Sequence, residues 1–163
     1  MIEIVYAQEK YFKSFHQALS IVAQELIYLE MTEAPPFEKI AEVQQDLISK
    51  NEPVYYAIQN KEKVVGWCDI CPETKPRQSH RGSLGMGLIP DCRGQGIGSR
   101  LLAQALDHAK AFGFEKVELH VYSSNTAAVK LYKKFGFEQE GLIKKFRKLN
   151  GQYFDYLAMG KFL

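Results

Sequence analysis

A turn with three alternating glycines, Arg93-Gly94-Gln95-Gly96-Ile97-Gly98-Ser99, constrains this chain more than any other segment. It follows an apolar, strand-like run and opens a helical pattern. Glycine at every second position removes side chains from the backbone, so its amide groups can converge on an anion. A helix start adds free N–H groups and the positive end of the helix dipole. With Arg93 and Arg100 nearby, the segment predicts a pyrophosphate site.

Two other phosphate-binding motifs fit this turn poorly. A P-loop requires a Gly-Lys-Ser/Thr sequence, which does not follow here. A dinucleotide fingerprint has a different glycine spacing, lies near the first strand, and is followed about 20 residues later by an acidic residue. A strand-to-helix turn without a ligand would account for one or two glycines but not for three. The pattern therefore favours a binding function.

Length and charge point to one ordinary globular domain over residues 1–163. The net charge of +2 is too balanced to indicate nucleic-acid binding. No apolar run approaches the roughly 18–20 residues of a membrane span, and the N-terminus does not resemble a signal peptide. We expect a cytoplasmic protein without a membrane or nucleic-acid partner. A basic cluster at Lys144–Lys148 is typical of a protected edge strand.

The three cysteines, Cys68, Cys71 and Cys92, do not predict a disulfide framework, because their number is odd. Cys68 and Cys71 form a C-x-x-C pair within a strand-like run. Side chains three residues apart on a strand point to opposite faces, so the two thiols would not meet easily. No second cysteine pair or histidine pair completes a zinc site. We therefore expect no metal.

Hydrophobic periodicity predicts a strand, two helices, three strands, a helix, a strand, a short helix and two final strands. The predicted strands are Glu3–Ala7, Val54–Gln59, Val64–Ile70, Gly82–Ile89, Lys116–Val121 and two around the turn Asn150-Gly151. The first predicted helix has an apolar face from Phe12 to Leu26, and the second follows Pro35-Pro36. The third runs from Gly98 to Phe112. The fourth follows an N-terminal cap at Asn125 or Thr126. The order predicts a mixed α/β domain around one partly antiparallel sheet.

Two sequence motifs, one after the other along the chain, resemble those of the GNAT superfamily of N-acetyltransferases. Arg93–Gly98 is similar to its acetyl-CoA pyrophosphate motif, Q/R-x-x-G-x-G/A. Asn125–Phe137 is similar to its second signature, N-x-x-A-x-x-L-Y-x-x-x-G-F. The resemblance covers nearly the whole chain and implies an acyl-CoA N-acyltransferase fold, with a central mixed, mostly antiparallel sheet flanked by helices. Acetyl-CoA would be the co-substrate.

The resemblance also implies roles for individual residues. Leu88 and Ile89 would pair through their backbone with the pantetheine arm, and one of their amides would stabilise the oxyanion. The pyrophosphate would lie on Arg93, Gly94, Gln95, Gly96, Ile97, Gly98 and Ser99. Asn125 would bond the pantetheine or fix its loop. Tyr132 would lie beside the thioester sulfur, as proton donor or as hydrogen-bond donor. The substrates would enter from opposite sides, through a splay between the fourth and fifth strands.

The general base is not identified by any motif. The candidates are His80, Glu118 and His120 on the strands and Glu30 and Glu33 between the first helices, each of which is more often a surface or structural residue. Trp67 is a candidate for lining the acceptor pocket, and core packing explains it equally well.

The segment Pro76–His80 and the tail Gly141–Asp155 resemble the bacterial branch that acetylates free L-amino acids, together with related phosphinothricin acetyltransferases. This predicts a small-molecule amine acceptor, with Arg77, Arg81 or Lys145 as candidates to hold its carboxylate. A protein- or polyamine-directed acetyltransferase and a non-catalytic acyl-CoA-binding module remain alternatives. A homodimer also remains open.

Overall fold

The computed structural model describes residues 1–163 and contains one seven-stranded sheet in the order β1-β2-β3-β4-β5-β7-β6. The strands are β1 (Ile2–Tyr6), β2 (Val54–Gln59), β3 (Lys63–Pro72), β4 (Arg81–Leu88), β5 (Lys116–Tyr122), β6 (Glu138–Leu149) and β7 (Gln152–Phe162). The helices are α1 (Phe12–Gln24), α2 (Phe37–Ser49), α3 (Ile97–Phe112) and α4 (Thr126–Lys134). The predicted order of elements and the mixed, mostly antiparallel sheet are confirmed.

The first helix ends earlier than its apolar spacing predicts. α1 stops at Gln24, and Leu26 has a left-handed backbone with φ of 61°. A leucine in this conformation cannot continue an α-helix, so α1 ends before it. The segment that follows, residues 25–31, is therefore a loop, and we call it the acceptor loop because it carries Glu30, one of the residues predicted as a base for the acceptor amine.

β4 is paired along its length with one neighbouring strand and only at one end with the other. β4 pairs with β3 along its whole length, from Gly66 opposite Leu88 to Pro72 opposite Gly82. With β5, however, β4 forms only three parallel pairs, which begin at Arg81 opposite Lys116 and end at Ser83 opposite Glu118. Beyond Ser83 the two strands separate. The predicted splay between the fourth and fifth strands is thus present.

The two faces of the sheet are covered by different helices. On one face Phe15 of α1 stacks on Tyr56 and meets Trp67 edge-on, with ring centroids 5.0 Å and 5.5 Å apart. On the other face α3 is buried through an apolar stripe that includes Leu101, Leu102 and Ala105. These contacts form one continuous core of 33 buried residues, which makes the strands on both sides of the splay rigid supports.

The C-terminal hairpin has the two-residue turn that its sequence predicts. Asn150 and Gly151 both have positive φ, 50° and 77°, as a type I′ turn requires. β6 is the edge strand, and Lys144 and Lys145 are exposed on it, as expected for a protected edge. None of the four helices combines the length and apolar character needed to cross a membrane.

Candidate active site

A cleft of about 640 Å³ opens where β4 and β5 separate. The starts of α3 and α4 border one side of it, and the acceptor loop with the outer ends of β5 and β7 borders the other. Its floor is the exposed edge of β4 from Ser83 to Leu88. The splay therefore produces a cleft that is lined by α3 and α4 on one side and by the acceptor loop, β5 and β7 on the other.

The glycine turn presents a run of unpaired amides to this cleft. Gly94 and Gly96 have left-handed backbones, with φ of 73° and 76°, and α3 begins directly after Gly96. The first amide of the helix with a backbone acceptor is that of Arg100, which donates to the Gly96 carbonyl. The six preceding amides, from Gly94 to Ser99, donate to no backbone carbonyl. Such a nest at a helix N-terminus is suited to a pyrophosphate.

The third glycine of the turn serves packing rather than backbone conformation. Gly98 lies inside α3, and a Cβ atom there would be 3.3 Å from Leu131 on α4 and 3.5 Å from Leu88 on β4. A Cβ atom at this position would require the Leu131 side chain to shift slightly. The three glycines thus have two functions, since two allow the turn and one allows the helices to approach.

Arg93 is committed to contacts within the protein. Its guanidinium donates to the Leu88 carbonyl at 2.8 and 3.0 Å, forms a bidentate ion pair with Glu25 at 2.5 and 2.8 Å, and lies over the ring of Tyr28. Hydrogen bonding to Glu25 raises the pKa of Arg93 further, although burial opposes this. Arg93 therefore joins the glycine turn to the acceptor loop, and its charge is already balanced.

Of the two predicted pantetheine partners, only Leu88 has a backbone group directed at the opening. The Ile89 amide donates to the Val65 carbonyl at 2.9 Å, and its carbonyl accepts from Cys92. Because antiparallel pairs alternate, the amide and carbonyl of Leu88 point to the other edge of β4, where β5 has left. Since Arg93 occupies the Leu88 carbonyl, the Leu88 N–H is the group available to a ligand.

Asn125 and Tyr132 both line the cleft from α4. The Asn125 side chain caps the helix, because its oxygen accepts from the Ala128 amide at 3.3 Å. Tyr132 is 6% exposed and meets Phe137 edge-on. Burial, with a smaller effect of Cys68, raises the pKa of Tyr132 well above its ordinary value of 10.0. The hydroxyl therefore stays protonated and keeps its donor hydrogen.

The predicted base candidates are distributed unevenly around the site. Glu30 and His120 line the cleft, and His120 stacks on Tyr156 with centroids 5.2 Å apart. Glu118 lies at the closed end of the splay, where it pairs with Arg81 at 2.5 Å and Lys116 at 3.0 Å. Burial raises the pKa of Glu118, but the hydrogen bonds from these two cations outweigh it and lower the pKa. Glu33 and His80 are exposed and do not line the cleft.

The cations predicted to hold an acceptor carboxylate do not reach the cleft. Arg81 is paired with Glu118, Arg77 is exposed in the loop before β4, and Lys145 lies over Tyr153 on the C-terminal hairpin. Trp67 is 4% exposed and packs in the core, although its indole lies directly over Gly87 of the cleft floor.

Two features of the site have no sequence motif. Arg147 of β6 reaches the acceptor loop, where it donates to the Leu26 carbonyl and, at 2.9 Å, to the Leu29 carbonyl. Asp69 of β3 lies opposite Gly85 on the acceptor face of the sheet. Both residues act across large separations in sequence, so only the folded chain reveals them.

Comparison with known proteins identifies the class. The model of the acetyltransferase (GNAT) family matches residues 21–137, which include the splayed strands, the glycine turn and α4. The chain belongs to the GNAT family, a class of N-acetyltransferases that use acetyl-CoA.

Individual relatives agree with this assignment. An L-amino acid N-acetyltransferase, AaaT, of Escherichia coli (strain K12) is 33% identical over 99 residues, which are 60% of this chain and 61% of AaaT. A GNAT-family acetyltransferase structure from Streptococcus pneumoniae superimposes with a TM-score of 0.92 and 27% identity over 100% of both chains. A phosphinothricin acetyltransferase from Sinorhizobium meliloti in complex with AcCoA shares the fold, with a TM-score of 0.93, 19% identity and coverage of 99% of this chain and 88% of that one.

Proposed function

We propose that this protein transfers the acetyl group of acetyl-CoA to a small primary amine by direct attack in a ternary complex. The observation that carries the proposal is the nest of free amides from Gly94 to Ser99 beside the cleft where β4 and β5 separate. In this arrangement the nest holds the pyrophosphate and the exposed edge of β4 receives the pantetheine arm. The thioester then lies between Leu88 and Tyr132.

The residues present support each step of the transfer. The Leu88 N–H stabilises the oxyanion that forms when the amine attacks the thioester carbonyl. The Tyr132 hydroxyl donates a hydrogen bond to the departing sulfur. Because burial raises the pKa of Tyr132, proton transfer to a thiolate of ordinary pKa near 8.5 is unfavourable, and we assign Tyr132 the role of hydrogen-bond donor.

For the acceptor we propose the α-amine of a free amino acid or a close analogue. The name of the relative AaaT supports this choice, and an α-amine, with a pKa near 7.7–8.0, is easily deprotonated. Arg77, Arg81 and Lys145 lie outside the cleft, so a carboxylate would have to be read by cleft residues such as His120. A protein-directed acetyltransferase and a non-catalytic acyl-CoA-binding module are the competing functions.

A thiol-release assay with acetyl-CoA distinguishes these functions. The acceptor panel contains free amino acids, the corresponding amino-acid amides, spermidine and short peptides. We expect release with free amino acids and slower release with their amides. Equal or faster release with amides or spermidine overturns the amino-acid acceptor and leaves the acetyltransferase activity standing. Tight binding of acetyl-CoA by calorimetry, without release for any acceptor, favours the binding module.

A further inference from the structure

The acceptor face of β4 has an uncovered stretch directly beside a carboxylate. The β4 residues on this face are Ser83, Gly85 and Gly87, all of which line the cleft. Over Gly87 the space is filled by Trp67, because a Cβ atom there would lie 2.4 Å from the indole. A Cβ atom at Gly85 would have three nearest neighbours, all of which belong to the Asp69 carboxyl group. The nearest, Oδ1, would be 3.3 Å from it. Because position 85 has no side chain, only the Gly85 backbone lies between the cleft and the partly exposed Asp69 carboxyl group.

No cation neutralises Asp69. None of the ion pairs of the protein includes it. Its titratable neighbours are Cys68 and Cys71 on the same strand, Glu52 before β2 and Tyr56 on β2. The residue opposite it on β4 is Gly85, which has no side chain. The Cys71 thiol donates to Asp69 Oδ1 at 3.6 Å. A carboxylate with only a weak thiol donor keeps lone pairs free to accept a proton.

These surroundings give Asp69 the proton affinity that a base at neutral pH requires. Burial raises the pKa of Asp69 to about 7, with a smaller increase from Glu52 and an opposing effect of the Cys71 hydrogen bond. A base is most effective when its pKa lies near the working pH. Glu118, by contrast, has a lowered pKa and two cationic partners.

We propose that Asp69 is the general base that removes a proton from the acceptor amine, directly or through one water molecule. This role rests on the proposed acetyltransferase function. The ammonium proton passes to the Asp69 carboxylate, and the freed nitrogen lone pair forms the bond to the acetyl carbon. The C–S bond then breaks and its electron pair leaves on sulfur. The thiolate takes up the second proton that the attacking nitrogen loses as it becomes an amide, directly or through water. Gly85 is the position that lets the amine approach Asp69.

The decisive variant is Asp69→Asn, which keeps the shape of the side chain. We expect kcat/KM for the acceptor, measured at saturating acetyl-CoA and pH 7.5, to fall about 10²- to 10⁴-fold. The acid limb of the wild-type pH profile near pH 7 disappears in this variant. Binding of acetyl-CoA, measured by calorimetry, is unchanged, because Asp69 lies on the acceptor face. His120→Gln, which alters another predicted base candidate that lines the cleft, retains the limb.

Two neighbouring substitutions test the assignment independently of the loss of activity. Cys71→Ala removes a hydrogen bond that lowers the pKa of Asp69, so the limb moves to higher pH. Glu52→Gln removes a like charge, so the limb moves to lower pH. A limb that persists in Asp69→Asn, or that is lost in His120→Gln instead, overturns the role of Asp69. If wild-type protein releases no thiol with any acceptor, the acetyltransferase function fails and the role fails with it.

Discussion

The acetyl-CoA side and the acceptor side of the cleft are built by different means. On the side that we assign to acetyl-CoA, six consecutive residues, Gly94–Ser99, supply a nest of backbone amides that needs glycine and a helix start. The side that we assign to the acceptor is lined by side chains on β5, β7 and the acceptor loop. Backbone recognition suits a co-substrate shared by a whole family, because it does not depend on side-chain identity. Side-chain recognition suits an acceptor that differs between members.

Arg93 is the exception, since it belongs to the motif of one side and contacts the other. Its ion pair with Glu25 and its contact with Tyr28 hold the acceptor loop from the acetyl-CoA side. Arg147 holds the same loop from β6. The loop that borders the acceptor therefore has no regular secondary structure and is nevertheless fixed by two arginines.

Tyr132 lies where the two sides meet, and its hydroxyl is expected to stabilise the charge that develops on the departing sulfur. We expect Tyr132→Phe to lower kcat about 10²- to 10³-fold, as for loss of one hydrogen bond to a developing charge, while the acetyl-CoA Kd changes little. Steady-state kinetics and calorimetry measure the two quantities. Tyr55→Phe is the control, because it loses a tyrosine hydroxyl that bonds His108 away from the cleft. Wild-type kcat in Tyr132→Phe, with chemistry rate-limiting, removes Tyr132 from the mechanism.

Gly96→Val tests whether the acetyl-CoA side depends on backbone conformation. Valine is strained at a φ of 76° and disturbs the amide nest. Loss of one hydrogen bond to a charged group costs about 1.5–3 kcal/mol, so we expect acetyl-CoA to bind roughly 100-fold more weakly. Gly113→Val introduces comparable strain at the other end of α3, where φ is 107°, and should reduce stability without changing the Kd. Unchanged acetyl-CoA binding in folded Gly96→Val contradicts the assignment.

Arg93→Ala distinguishes a pyrophosphate contact from a link to the acceptor loop. The contacts of Arg93 predict that the acceptor KM rises about tenfold, as for loss of one charged hydrogen bond of about 1.5 kcal/mol, and that the acetyl-CoA KM rises less. Glu25→Gln should reproduce this effect. A larger rise in the acetyl-CoA KM, seen in Arg93→Ala and not in Glu25→Gln, would show that Arg93 reads the pyrophosphate.

The smallest expected effect is on the free energy of unfolding, and it comes from Glu118, which lies where β4 and β5 are still paired. The folded pKa of Glu118 lies below its ordinary value of 4.5, so its contribution to stability is present above about pH 4.5 and is lost as the pH falls through the folded pKa. Glu118→Gln should therefore lower the free energy of unfolding by about 1 kcal/mol at pH 7, with the difference disappearing in acid. Denaturant titrations at both pH values measure this. Asp46→Asn, which breaks an exposed pair with Lys50, should have little effect.

Features that depend on adjacent residues could be predicted from the sequence, whereas features that depend on distant residues could not. The glycine turn, the Asn125 cap and the Asn150-Gly151 turn were predicted because each depends on residues that are adjacent in the chain. The internal partners of Arg93 were missed, because Glu25 lies at the end of a helix that apolar spacing extends too far. Asp69 gave no signal at all. Its proximity to the cleft depends on strand register and on a glycine in the neighbouring strand, neither of which has a local pattern.

The short parallel pairing of β4 with β5 also has a consequence for how the chain folds. The hairpin partners of β4 on β3 are close in sequence, whereas its partners on β5 lie beyond the whole of α3. Closing this longer loop costs more chain entropy, and only three residue pairs offset the cost directly. We expect the two halves of the sheet to acquire structure first and to join late. The short β4–β5 pairing would then be among the last parts of the molecule to form. Substitutions that slow folding should therefore cluster around it.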